Sequence, residues 1–196
     1  MAEDRVKTVC KAVVIGGSAG SIEVFLKLLP ALPMPLSFAV IIVVHRKNST
    51  DSSLAHVLSI KTAVPIQDVE DKDPVLAGNM YLAPADYHLL IEKDEVFSLD
   101  NSEKVNYSRP SLDVTFESAA DVYGPALVGV LLSGANADGT AGLKAIKQAG
   151  GIIVAQKPET AQSSFMPQQA IMHAPVDHVL DVDGLITFLR SLNRPV

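Results

Sequence analysis

The chain has 196 residues, 48% of them hydrophobic, and 16 basic against 22 acidic side chains give a formal net charge of -6. That is enough apolar material for an α/β domain with a sizeable core and excludes overall disorder, while the acidic balance argues against a general nucleic-acid role. The one cysteine, Cys10, excludes an intrachain disulfide and fits a reducing, cytoplasmic setting, where its expected role is packing.

Residues 1–10 form a short polar lead that does not read as a signal peptide. Residues 11–15 read as a β-branched strand entering Gly16-Gly17-Ser18-Ala19-Gly20, and residues 21–29 have helical periodicity. Pro30, Pro33 and Pro35 end that helix. Residues 37–44 are continuously apolar, as expected of a central parallel strand covered on both faces, and end at His45-Arg46. The longest apolar run, residues 38–44, is too short to cross a bilayer, so no membrane insertion is expected. A polar stretch at 47–53 leads to a helix over 52–59.

Between residues 65 and 99 the texture changes. Residues 79–83, 88–91 and 95–99 read as short strands, the last two joined by a turn at Lys93-Asp94. Residues 101–106 read as a solvated loop. Ser111 suits the N-cap of a helix over 112–123, and Asp113 its positive first turn. Residues 126–132 form another buried strand, stopping at Ser133-Gly134-Ala135-Asn136-Ala137-Asp138-Gly139. A helix over 140–149, a strand at 152–155, a short helix at 167–172, a strand at 179–180 and a helix over 183–192 complete the pattern. Strands alternate with helices, so the expected fold class is α/β. We expect a doubly wound, mostly parallel sheet with helices on both faces and an antiparallel edge hairpin from 65–99. The whole chain reads as one domain with its core at about 10–193.

Gly16-x-Ser18-x-Gly20 between a strand and a helix matches a nucleophile elbow. Such a turn can equally cradle a phosphate, although the dinucleotide and P-loop patterns both fail here. In open α/β sheets, ligands sit beyond the C-terminal strand ends. Three strands end toward a serine, a histidine and an aspartate: Ser18, His45 and Asp138. These are the parts of a hydrolytic triad, in which His45 takes the proton of Ser18 and Asp138 orients the imidazole. Asp138 is also placed to cap the helix that follows it. His56 lies in a helical pattern, and His88, His173 and His178 lack a comparable setting. No His-x-x-x-His or Cys-x-x-Cys spacing occurs, so neither a metal nor another cofactor is expected.

Several stretches, in this order, resemble one family. They are Ile15-Gly16-Gly17-Ser18-Ala19-Gly20, Val43-Val44-His45, Ala83-Pro84-Ala85-Asp86-Tyr87-His88-Leu89, Arg109-Pro110-Ser111-Leu112-Asp113, Leu132-Ser133-Gly134 through Asp138-Gly139, Gly150-Gly151 and Ala155-Gln156. Over roughly residues 10–193 the chain resembles the catalytic domain of the bacterial chemotaxis protein-glutamate methylesterases, the CheB type. The resemblance implies hydrolysis of glutamate methyl esters, and deamidation of some glutamines, on the cytoplasmic domains of chemoreceptors. It carries the nucleophile, base and orienting acid to Ser18, His45 and Asp138. It places Ala19, Gly134, Ala135, Asn136 and Met166 beside the oxyanion and substrate. Further partners it implies are a receptor methyltransferase or a separate response regulator.

The chain also departs from that family. Ala19 replaces the usual threonine, Gly134-Ala135-Asn136 the usual Gly-Met-Gly, and Phe165 a glycine. Ala135 can still offer its backbone N–H, and Asn136 suits a positive φ if the turn needs one. The expectation is an active enzyme, slow or differently selective. About ten residues precede the first strand, so we expect no attached receiver domain to gate it. A docking module that keeps the fold without catalysis is the alternative from another class.

Overall fold

The computed structural model describes residues 8–46 and 53–194. Two strands, Ala12–Gly17 (β1) and Ala39–Val44 (β2), are buried at every position. A strand buried on both faces needs layers on both sides, and the remaining elements supply them. In chain order these are Ser21–Leu28 (α1), Ser53–Ser59 (α2), Ile66–Asp68 (β3), Met80–Leu82 (β4), His88–Ile91 (β5), Phe97–Asp100 (β6) and Leu112–Tyr123 (α3). Leu127–Leu131 (β7), Thr140–Gln148 (α4), Ile152–Gln156 (β8), Phe165–His173 (α5), His178–Leu180 (β9) and Val182–Leu192 (α6) follow.

Seven strands form one sheet in the order β3-β4-β2-β1-β7-β8-β9, every pair parallel. The pleat of β1 sends Val13 and Ile15 to one face, where Phe25 and Leu28 of α1, Leu58 of α2 and Leu185 and Leu189 of α6 meet them. Ala12 and Val14 point to the other face, against Leu112 and Phe116 of α3, Leu143 and Ile146 of α4 and Met166 and Ala170 of α5. This is the doubly wound α/β architecture expected from the alternation of elements.

The hairpin differs in position. β5 and β6 pair antiparallel only with each other, as a separate two-stranded sheet. Their turn centres on Lys93-Asp94 as expected: Glu95 N–H donates to Glu92 O (2.9 Å), and Glu95 adopts φ 58. The hairpin lies on α3, with Thr115 Oγ1 donating to Leu89 O (2.8 Å) and Ile91 N–H to Ser118 Oγ (3.1 Å). The sheet edge is instead β3, parallel to β4, a strand that the sequence pattern did not reveal. Of its three residues only Ile66 is buried, too little to register as a period. The expected polar stretch before α2 lies largely in 47–52, outside the described residues.

The chain adds strands on one side of β1 and then, with β7, on the other. The C-terminal ends of β1, β2 and β7 therefore flank a topological switch point. Backbone bonds continue past the strand ends and lock their loops together. Ser18 N–H donates to Ser133 O (2.8 Å) and His45 N–H to Gly17 O (3.1 Å). Gly20, at φ 83, starts α1 where a Cβ would collide with Gln162 and Ser133 Oγ.

The rim also depends on how closely α4 lies against α3. A Cβ on Gly142 would stand 2.5 Å from Phe116 Cβ and 3.1 Å from the Asp113 Cα. Gly142→Ala should therefore push the helices apart and lower stability by about 1–3 kcal/mol, as overpacking does. Urea unfolding of the variant against wild type checks this.

Candidate active site

Ser18 stands between β1 and α1, half-buried at the rim. His45 follows β2, its side chain 10% exposed, and Asp138, between β7 and α4, is fully buried. His45 Nε2 lies 2.6 Å from Asp138 Oδ2. With Nε2 donating to the carboxylate, Nδ1 is left as the basic nitrogen of the ring. Ser18 and His45 line one cleft of about 490 Å³, walled further by Arg46, Asp86, Lys104, Tyr107, Ser108 and Arg109.

Asp138 does not cap the helix that follows it; Gly139 occupies that N-cap. Its carboxylate is spent on the start of α3. Leu112 N–H donates to Oδ2 (2.6 Å), while Ser111 Oγ (2.8 Å) and Asp113 N–H (3.2 Å) donate to Oδ1. Ser111 is the N-cap of α3 by position, yet its hydroxyl turns to Asp138 and the aspartate supplies the capping oxygens. Asn106 completes the set, its Nδ2 donating to Asp138 Oδ1 (2.9 Å) and to Asp113 Oδ2 (2.8 Å). His88 is structural: its Nδ1 accepts the Ser111 N–H (3.2 Å) and its Nε2 meets Glu103 O (2.9 Å).

Burial alone would raise the Asp138 pKa. The bonds from His45, Asn106 and the Leu112 N–H outweigh it and hold the carboxyl below its ordinary value. Asp113 goes the other way. Burial, with Asp138 nearby and against the bond from Gly142 N–H (2.7 Å), pushes it up to about 6. Two adjacent carboxyls are thus driven apart, and the one beside the imidazole stays ionised.

The model of the family described as CheB methylesterase matches residues 13–189. The chain belongs to the CheB methylesterase family. A relative from Leptospira interrogans, named for protein-glutamate methylesterase and protein-glutamine glutaminase, is 44% identical over 184 residues, covering 94% of this chain and 95% of its own. The protein-glutamate methylesterase/protein-glutamine glutaminase of Thermotoga maritima is 34% identical over 173 residues, 87% of this chain. This chain spans about half the length of that relative, 50%. The crystal structure of the Thermotoga maritima CheB methylesterase catalytic domain superposes with a TM-score of 0.89 at 32% identity, covering 94% of this chain and 100% of that one.

The residues expected beside the substrate fall into different settings. Ala19 and Ala135 are exposed at the rim, and among the described residues their N–H groups have no partner. The Gly134 N–H is taken by Ser163 O (3.1 Å). Met166 is fully buried, its N–H donating to Gly134 O (2.9 Å), so it supports the loop from beneath and does not line the cleft. Asn136 does not adopt a positive φ; its Oδ1 accepts the Asp138 N–H (3.1 Å), a local turn that a short amide favours. Ser133 and Gln156 stand in the stretches that resemble the family, with no role expected of either from the sequence. Ser133 Oγ donates to Ala19 O (2.6 Å) and accepts the Ser163 N–H (2.9 Å), while Gln156 Oε1 accepts the Ser133 N–H (2.9 Å). A buried serine and glutamine at two adjacent strand ends are the signal that could have found them. Among the described residues no group of His, Cys, Asp and Glu is arranged to hold a metal.

Asp113 has a consequence for pH. Its folded pKa, about 6, lies above the ordinary aspartate value of about 3.9, so the folded state prefers its neutral form. The stability it contributes is complete below about pH 4 and is lost as pH rises through 6. Asp113→Asn should flatten that slope. It should also forfeit one bond, because the amide sets a donor against either Asn106 or Gly142. Thermal unfolding between pH 4 and 7 measures both effects.

Proposed function

We propose that the chain is a serine esterase that removes methyl groups from glutamate side chains of chemoreceptor cytoplasmic domains, working in the cytoplasm as one catalytic unit. The observation that carries the reading is the 2.6 Å pairing of His45 with a buried, ionised Asp138, in a cleft that His45 shares with Ser18. No described helix is long and apolar enough to cross a membrane.

In this reading Ser18 Oγ attacks the ester carbonyl carbon and its proton passes to His45 Nδ1. Asp138 holds the tautomer through Nε2 and stabilises the imidazolium that forms. This reverses the more familiar arrangement, in which the carboxylate pairs with Nδ1. The N–H groups of Ala19 and Ala135 are the candidate donors to the oxyanion. Collapse of the tetrahedral intermediate expels methanol, which takes its proton from His45. A water, deprotonated by the same nitrogen, then releases the glutamate and regenerates Ser18. A glutamine amide would follow the same path with ammonia as leaving group. A receptor methyltransferase, adding the group removed here, and a separate response regulator are the proposed further partners.

Ser18→Ala should fold normally and lose methanol release from methylated receptor by about 10⁴-fold or more. Asp138→Asn should fall by a comparable factor through the wrong histidine tautomer, and it should also lose stability because α3 loses its cap. A wild type that releases no methanol and whose Ser18 resists a fluorophosphonate would leave the docking module as the reading.

A further inference from the structure

Residues Val105 to Ser108 close a tight two-residue turn at the mouth of the cleft. Val105 N–H donates to Ser108 O (3.2 Å) and Ser108 N–H to Val105 O (3.0 Å). Both central residues have positive φ, Asn106 at 50 and Tyr107 at 62. Such a turn favours asparagine and then glycine. Asparagine is present at the first position, but the second holds a tyrosine, whose Cβ is strained in this conformation.

Among the described residues, no burial of the Tyr107 side chain offsets that strain. Tyr107 is 97% exposed, the most exposed large apolar residue among the described residues. The backbone beneath it is nevertheless fixed. The Asn106 amide is held by Asp138 and Asp113 at 2.9 and 2.8 Å, so the turn is braced against the carboxylate that orients His45. Tyr107 lines the same cleft as Ser18 and His45. Beside it stands Lys104, exposed and without an ion pair among the described residues. The two arginines of the cleft are already engaged in its walls, Arg46 with Ala83 O (3.0 Å) and Arg109 with Asn101 O and Ser102 O (2.7 and 2.6 Å).

We propose that Tyr107 is a specificity-determining residue, a contact for the acidic polypeptide that flanks the esterified glutamate. A rigid, exposed ring presents a large face at little conformational cost, onto which the aliphatic stems of the substrate lie. The Lys104 ammonium then meets a neighbouring carboxylate. The strain is stored at the place where substrate binds, where it serves contact instead of folding. This inference rests on the esterase reading above and names what the same cleft selects.

The test compares wild type, Tyr107→Gly, Tyr107→Asn and Tyr107→Phe on a methyl-esterified receptor cytoplasmic fragment, following methanol release. Glycine and asparagine both tolerate the positive φ and both remove the ring. Each should raise KM about ten-fold with kcat within two-fold, whereas phenylalanine should stay near wild type. Relief of strain should leave Tm unchanged or raise it by about 2–4 °C in the glycine variant. A wild-type KM in folded Tyr107→Gly and Tyr107→Asn would overturn the inference, as would a fall in Tm that marks the ring as structural. Fluorophosphonate labelling of Ser18 in wild type separates the two levels. With labelling and turnover present, an unchanged KM removes only the role of Tyr107; with both absent, the esterase reading fails and this inference goes with it.

Discussion

A single carboxylate, buried without any contact with solvent, organises the rim of this molecule. Asp138 accepts from His45, Asn106, Ser111 Oγ and the first two N–H groups of α3. Burying a charge is tolerable only when it is surrounded by donors, and here the donors come from three separate segments. The same bonds that keep the carboxyl ionised also start a twelve-residue helix whose positive end faces it. Structure and chemistry therefore share one group. Its negative charge is fixed by the architecture, beside the imidazole that takes the proton in the proposed mechanism.

The serine side of the rim is built on a different principle, close backbone approach. Ser18, Gly134 and Ser163 belong to three successive loops, and Ser133 Oγ and the Gln156 amide stitch them together. That stitching uses backbone groups and the Ser133 and Gln156 side chains, so it does not depend on the side chains at Ala19 and Ala135. Met166, fully buried, supports Gly134 from below.

Much of this was legible in the sequence, for physical reasons that can be named. Strands buried on both faces announce themselves as unbroken apolar runs, and β1, β2 and β7 fell where such runs stand. Their ends pointed to Ser18, His45 and Asp138 because parallel sheets carry function at that edge. What stayed hidden was whatever depends on contacts distant in sequence. The alternative role for Asp138 in the sequence was a local cap, yet its carboxylate caps a helix that begins 26 residues earlier. Asn106 read as part of a solvated loop, since nothing local reveals that its amide reaches two buried carboxyls. β3 has one buried side chain and no period to detect. The hairpin was readable as a hairpin, but which surface it lies on is decided by the packing of α3.

The long reach of Asp138 has a consequence for the order in which the chain acquires its chemistry. His45 and its carboxylate are 93 residues apart, and the α3 cap links both to a third region. During synthesis, Ser18 and His45 emerge with β1, α1 and β2, while the carboxylate that pairs with the imidazole arrives only after β7. A growing chain that has already formed half its sheet thus carries the proposed nucleophile without its proposed orienting acid. Closing so long a loop is slow compared with local pairing, so on the proposed mechanism Ser18 becomes competent last, once both halves of the sheet are in register.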